Sequence, residues 1–463
     1  MGDPNKIERV ADGALGSIYD SRAGSAIFLI VCSLPLLSTL LFGGVDNTTW
    51  VLISILWLLI IFFWIIGAWQ SGEIVLSRHQ IQIPLLGILF IGLIQLLPFG
   101  PGGETAGLLP LSASNSISLD PGATRLFLSR LAVYIVFFAA CLTFIQSEKR
   151  LRKITAMVIL FGSMMAFLAI LLRLANPDGI YGIRETPQAV PFGPFVNQHH
   201  FASFMQMTGG VTLSLLLGKS VSRDKKALLV IALVLMSVAA MLTGSRGGAL
   251  GMIGMAFLVV LLTVASRGVR GGPPASASAD RGRSVTASIA TGAALLLFTL
   301  GALLFVGGEE SLLRGIGMTI PSDDVSSGRT HFWAIALRMF ADYPIFGVGF
   351  DAFGVAFTKY DTWSGLFRVE QAHNEYLQVL AEGGIPAILC LTAFIYFLFR
   401  SSLRTVWGAS GIVRSASMGA LAGCFGILVH SFFDFPLRTP SNGFFFLLLC
   451  AIAVYPVTGE KRL

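Results

Sequence analysis

Few residues in this chain of 463 can do chemistry, because only 12% of it is charged. Arg246 stands in the stretch TGSRGGALG, where Gly244, Gly247 and Gly248 leave the backbone open ahead of an apolar helical run. A guanidinium, free N–H groups and the positive end of a helix together favour an anion; the bland alternative is an arginine snorkelling at an interface. Arg329 opens a second amphipathic stretch, with His331 two residues on. A cation at a helix N-terminus opposes the helix dipole, so Arg329 needs another partner or is simply solvated. His373 precedes Asn374 and Glu375 at the start of a third stretch. An imidazole there is a natural proton acceptor, or else a capping group. The six histidines form no His-Glu-x-x-His pattern, and no P-loop or dinucleotide fingerprint is present. The five cysteines all lie within apolar runs, far from one another, which argues against a disulfide framework, a zinc site or a redox pair. The expectation is therefore no metal and no cofactor.

The elements that must position these residues are membrane helices. Hydrophobic residues make up 54% of the chain and mean hydropathy is +0.77. That excludes a soluble enzyme, a disordered chain and a fibrous protein, since a soluble fold must present charge to water. Twelve apolar runs approach the roughly 20 residues needed to cross a bilayer. They lie near 25–44, 48–69, 82–98, 126–146, 154–174, 201–218, 227–245, 248–266, 286–306, 385–400, 415–433 and 443–457. The fold class expected is an all-α polytopic membrane protein of about twelve transmembrane helices with a long, partly helical outer loop. Its divisions are 1–24 (tail), 25–306 (spans one to nine), 307–383 (outer loop), 384–457 (spans ten to twelve) and 458–463 (tail). The first run is too long, and too far from the start, to read as a cleavable signal. With the N-terminus inside, 21 of the 32 Lys and Arg fall in inner segments, as the positive-inside rule requires. The net charge of +7 then reports topology, with no need of nucleic acid. The inner stretch 267–283 reads as a flexible basic linker against anionic lipid headgroups. No Asp or Glu falls inside a span, which weighs against an ion-coupled transporter.

Runs seven and eight are split only by Ser245, Arg246 and Gly247, so Arg246 sits at the tip of a hairpin on the outer side. The outer loop holds Arg329, Arg338 and His373. Ser326–Ser327 can cap a helix through RTHFWAIALRMFADY, in which Phe332, Ile335, Ala336 and Met339 recur at helical spacing. A second helix is expected through HNEYLQVLAEGG, ended by Gly383–Gly384. Both are expected to lie at the membrane surface over the bundle.

These segments resemble the O-antigen ligase and polymerase superfamily of bacterial membrane glycosyltransferases. TGSRGGALG is similar to its Arg-x-x-x-Leu element, with Arg246 and Leu250. GRTHFWAIALRMFADYPIFGVGFDAFG resembles the opening of its long periplasmic loop, and AHNEYLQVLAEGGIPA its His-Asn element. SLDPGATRLFLSRL, FGPFVNQHHFASFM and HSFFDFPLRTPSN are also similar to family segments. The resemblance covers roughly residues 85 to 450 and implies an undecaprenyl-diphosphate-linked glycan donor. The implied acceptor is lipid A-core or a lipid-linked repeat unit, in the bacterial inner membrane with both termini cytoplasmic and the site facing the periplasm. It implies that Arg246 and Arg329 bind the diphosphate and that His373 sits by the reacting centre, with Glu375 an alternative base. Asn197, His200, Asn374, Glu375 and Arg338 are the expected substrate contacts. Gln198–His199–His200 departs from the family pattern, and no catalytic role is carried onto His199. Ligase and polymerase are not separated, although the stretch opened by Asp434 leans towards polymerases; some relatives glycosylate proteins. The competing classes are a transporter or flippase for a polar lipid, with the loop as a gate, and a scaffold of a secretion complex.

Overall fold

The computed structural model describes residues 21–100, 115–175, 179–187, 189–268, 328–362 and 369–456. Regular structure among them is helical, apart from two isolated bridges, Ile180–Arg184 and Phe192–Phe195. In chain order the helices are α1 (Arg22–Leu40), α2 (Asn47–Ser71), α3 (Ile83–Gln95), α4 (Pro121–Phe144), α5 (Glu148–Ala175), α6 (Gln198–Leu217) and α7 (Arg223–Leu242). They continue with α8 (Arg246–Gly268), α9 (Arg329–Asp342), α10 (Phe353–Tyr360), α11 (Glu375–Gly408), α12 (Gly411–His430) and α13 (Pro440–Ala453). Eleven of the twelve expected runs coincide with one of these helices; the run 286–306 and the cap at Ser326–Ser327 lie outside the described residues. Eight helices are long and apolar enough to cross a membrane, while α13 and the segment Gln80–Gln95 that holds α3 are apolar but shorter. Eight of the twelve expected spans are thus met by helices of spanning length and apolarity among the described residues.

Successive helices run between two ends. At one end Tyr455 donates to the Gln146 carbonyl at 2.8 Å, Ser214 to the Ser415 carbonyl at 2.7 Å, and Lys226 to the Leu216 carbonyl at 2.9 Å. This end carries the basic segments around Lys149–Lys153, Lys219–Lys226 and Arg400–Arg414. The opposite end carries Arg246, Arg329, His373 and Asp434. The chain leaves the described region at the first end with Gly268 and re-enters at the second with Gly328.

α6 is the axis of the bundle, buried on every side from His200 to Leu217. It packs against α12 through glycines that let backbones touch. A Cβ on Gly210 would stand 2.7 Å from the Gly423 nitrogen, and one on Gly419 2.7 Å from the Val211 Cα. Gly419 and Gly423 are four apart, the small-residue stripe by which helices approach in lipid. Side chains such as Val51, Ile55, Leu58, Phe62, Leu160, Phe167, Ile253 and Phe257 point outward and stay exposed, as lipid-facing positions do.

α9 has the expected burial pattern, with Ile335, Ala336 and Met339 in a small core shared with Phe353 and Phe357. Its N-cap is Gly328, in the left-handed region at φ 82°. α11 fuses the second loop helix with the tenth span. The expected stop survives as a break inside it: Gly384 has φ 66° and ψ −162°, and Pro386 lies two residues on. Proline has no N–H, so the Glu382 carbonyl loses its helical donor. It is taken instead by Gln95 Nε2 at 2.8 Å and the Gly349 nitrogen at 3.0 Å. Gln95 also donates to the Phe346 carbonyl at 2.6 Å and accepts from the Phe350 nitrogen at 3.0 Å. One side chain on α3 thus latches the 344–352 loop onto the break in α11.

Candidate active site

His373 is held at a left-handed φ of 52°. Such a backbone costs about 1 kcal/mol for a residue with a Cβ. The neighbouring Asn374 fixes it there: its side chain caps α11 by accepting from the Tyr376 and Leu377 nitrogens, both at 3.1 Å. His373 Nδ1 lies 3.2 Å from Asp434 Oδ1, and its ring packs edge-on against Phe435, with centroids 4.8 Å apart. Asp434 is only 1% exposed. Its Oδ1 also accepts from the Phe435 nitrogen at 2.9 Å, while Oδ2 is buried without a hydrogen-bond partner. Burial alone would raise the Asp434 carboxyl. The hydrogen bond from His373 and the fields of His200, His199 and His373 outweigh it and hold the group well below the usual carboxylate range. An ionised carboxylate only accepts, so His373 carries a proton on Nδ1, and in the neutral ring Nε2 is the acceptor.

The two arginines stand within electrostatic reach of this cluster, from different elements. Arg246 opens α8, and Arg329 opens α9. Burial holds the Arg329 guanidinium below its ordinary value; the field of Asp434 opposes that shift and the field of Arg246 adds to it. The fields of Asp434, Arg329, His373 and Arg246 all reach His199. The fold therefore brings together Arg246, Arg329 and His373, three residues far apart in sequence. It adds Asp434 and His199, whose chemistry was not legible from single motifs. Guanidiniums of this kind are the groups that recognise phosphate-type anions.

The expected contact residues take several positions. His200 is buried, with Nδ1 2.5 Å from Thr439 Oγ1, its ring edge-on to Phe435 and Nε2 without a hydrogen-bond partner. The Asn197 side chain caps α6 by accepting from the His199 nitrogen at 2.8 Å. Asn374 spends its side-chain oxygen on α11 in the same way. Arg338 is exposed on α9, nine residues along the helix from Arg329, and is not gathered with the others.

Glu375 turns away from His373 towards Arg438. Arg438 lies 2.9 Å from Asp351 Oδ1, 2.5 Å from Glu382 Oε2 and 3.8 Å from Glu375 Oε2. Glu375 Oε1 also accepts from the Leu437 nitrogen at 3.2 Å. Burial would lower Arg438, but the three carboxylates raise it above its ordinary value. This knot ties α11, the 344–352 loop and the turn after α12 into the frame behind the site. It also shows that α11 is inverted relative to a soluble amphipathic helix. Glu375, Gln378 and Glu382 are buried, whereas Tyr376, Leu377, Val379 and Leu380 are half-buried. The expectation that this stretch lies at the membrane surface over the bundle does not specify which face turns inward; in the structure it is the polar one. Among the described residues no group of three or more His, Cys, Asp or Glu is arranged to hold a metal ion. The five cysteines are free.

The fold and site define an all-helical, polytopic membrane protein with a cationic, imidazole-lined site at one end of its bundle. Residues 231–392 match the family model described as O-antigen ligase. A curated relative, the exopolysaccharide production protein ExoQ of Rhizobium meliloti (strain 1021), is 24% identical over 170 residues. That match covers 35% of this chain and 37% of the relative. Both findings support the O-antigen ligase and polymerase superfamily that the motifs resemble. The matched stretch includes Arg246, Arg329 and His373; Asn197, His199, Asp434 and Arg438 lie outside it.

Proposed function

We propose that the protein is a membrane glycosyltransferase of the ligase and polymerase type, moving glycan from a polyprenyl-diphosphate carrier to an acceptor hydroxyl. The observation that carries this is the convergence of Arg246 and Arg329 on the His373–Asp434 pair. In this reading the guanidiniums bind the donor diphosphate and take up the charge that grows as it leaves. The acceptor oxygen attacks the anomeric carbon, and the bond from that carbon to the diphosphate oxygen breaks. The lipid diphosphate departs with the electron pair. The hydroxyl proton passes to His373 Nε2, and Asp434 steadies the resulting imidazolium through Nδ1, as a buried carboxylate does in a hydrolase triad. No nucleotide is needed, since the carrier bond brings the energy.

The carrier is undecaprenyl diphosphate on this account, the acceptor is lipid A-core or a lipid-linked repeat, and the site faces the periplasm of the inner membrane with both termini cytoplasmic. The basic segments at the opposite end of the bundle support that orientation. The relative's role in exopolysaccharide production supports a polymer-forming acceptor over a core ligase. The test is purified protein in vesicles with a lipid-diphosphate oligosaccharide. Released lipid diphosphate together with longer or transferred glycan supports the enzyme; donor crossing the bilayer with no bond made supports the flippase instead.

A further inference from the structure

His430, at the end of α12, has no part in the chemistry assigned to the arginines and the His373–Asp434 pair. It is 1% exposed and stands directly beneath the first turn of α8. A Cβ on Gly247 would lie 2.7 Å from His430 Cδ2 and 3.2 Å from Phe433 Cβ. Gly247 is the residue after Arg246, so the imidazole is the floor on which the Arg246 turn rests.

The hydrogen bonds fix both the ring and its tautomer. Gln206 Nε2 donates to the Gly248 carbonyl at 2.8 Å, which sets the orientation of that amide, since a carbonyl only accepts. The same nitrogen lies 3.2 Å from His430 Nδ1, and the Ser203 hydroxyl lies 2.7 Å from it. Nδ1 therefore accepts, and the proton sits on Nε2, 3.5 Å from Ser245 Oγ. Ser245 Oγ in turn caps α8 by accepting from the Gly248 nitrogen at 3.0 Å. A chain of contacts thus runs from α6 through His430 to both residues that flank Arg246. Ser203, Gln206, Ser245 and the backbone of Gly247 face the ring, and among the described residues no hydrogen bond joins it to a carboxylate.

We infer that His430 is a positioning residue for Arg246: it holds the α8 N-terminal turn at the height and angle at which the guanidinium meets the donor diphosphate. This rests on the reading of Arg246 as a diphosphate ligand. His430 touches no substrate, and its neutral ring acts only through the Ser203–Gln206–Ser245 network.

The test is steady-state transfer by purified full-length protein in vesicles, with donor and acceptor varied separately. His430→Leu keeps the bulk of the ring and removes the acceptor. It is expected to raise the KM for the donor about tenfold and leave the KM for the acceptor unchanged, because a shift of about 1 Å at a charged contact costs that order of rate or more. His430→Asn restores an acceptor near the Nδ1 position and is expected to stay within about threefold of the parent. Gly247→Ala enters the same contact from the other side and is expected to reproduce the donor effect; it decides the matter if His430→Leu does not accumulate. A fall in the amount of active protein with donor KM and kcat per folded molecule unchanged in His430→Leu and Gly247→Ala overturns the inference, since that is what general loss of folded protein produces. Arg246→Ala is run alongside: full activity there overturns the diphosphate reading itself, whereas its inactivity beside unaltered donor KM in the other two overturns only the positioning role.

Discussion

At the residue scale, the chemistry proposed turns on how Asp434, His373 and the two arginines are held. Asp434 is matched on one oxygen only, and it orients His373. Replacing it by Asn keeps the shape but offers Nδ1 a neutral partner and lets the ring adopt the wrong tautomer. The expected loss in kcat is on the order of 10²- to 10⁴-fold with little change in donor KM, read in the transfer assay. The pH dependence of stability has a definite sign. A carboxylate held below its unfolded value contributes fully above about pH 4 and loses that contribution as pH falls towards its folded value. The thermal stability gap between the parent and Asp434→Asn should thus be flat between about pH 5 and pH 8 and narrow only below about pH 4. A gap that closes between neutral pH and about pH 5 would contradict the low Asp434 value. His373 and the two arginines stood out in the sequence as candidates, because glycines, helix starts and an outer location marked them. Asp434 and His199 were not, because their meaning lies in neighbours that are distant along the chain.

At the element scale, the break in α11 does the positioning. Gly383–Gly384 were legible as a helix stop, and the structure keeps that signal as a left-handed glycine inside a longer element. A Cβ on Gly384 would stand 2.3 Å from the Ile345 carbonyl oxygen. Gly384→Ala therefore meets both a forbidden backbone and a clash, and a sharp fall in the folded, detergent-extractable fraction is expected by size-exclusion profile. Gln95 offered no sequence signal, since an amide in an apolar run reads as tolerated polarity. In the structure it serves the Glu382 carbonyl freed by the break, and the Phe346 carbonyl and Phe350 N–H of the adjoining loop. Gln95→Leu leaves the Phe346 carbonyl and the Phe350 N–H unpaired, at about 1–3 kcal/mol each where they stay dry, while the Glu382 carbonyl keeps the Gly349 N–H; a clear drop in the thermal unfolding midpoint is expected. The inverted face of α11 escaped the sequence for a related reason. Helical periodicity shows that two faces exist, but not which faces lipid.

At the scale of the whole molecule, low charge content becomes a map. The apolar surface of the outer helices and the glycine-mediated contact of α6 with α12 describe a bundle built for lipid. The two ends differ in kind: one carries runs of Lys and Arg, the other the paired and poised charges of the site. The twelve-run pattern predicted this alternation because membrane helices announce themselves by length and apolarity. The short third run at 82–98 already marked α3 as short, but the pattern could not say that the axis α6 is packed on all sides, since that depends on neighbouring helices. Orientation is tested with single cysteines in a background freed of the five native ones. Arg338→Cys should react with an impermeant maleimide from the periplasmic side, and Lys225→Cys only after the membrane is opened. The reverse pattern would place the site in the cytoplasm.

The central claim is that Arg246 and Arg329 together hold a diphosphate whose departure drives glycan transfer. Its most direct measurement is lipid-diphosphate release by purified protein given a lipid-diphosphate oligosaccharide and acceptor, comparing the parent with Arg246→Ala and Arg329→Ala at matched folded protein. The account predicts release coupled one-to-one to glycan transfer in the parent and at least about 10²-fold less in either variant. Undiminished release and transfer in both variants would contradict it.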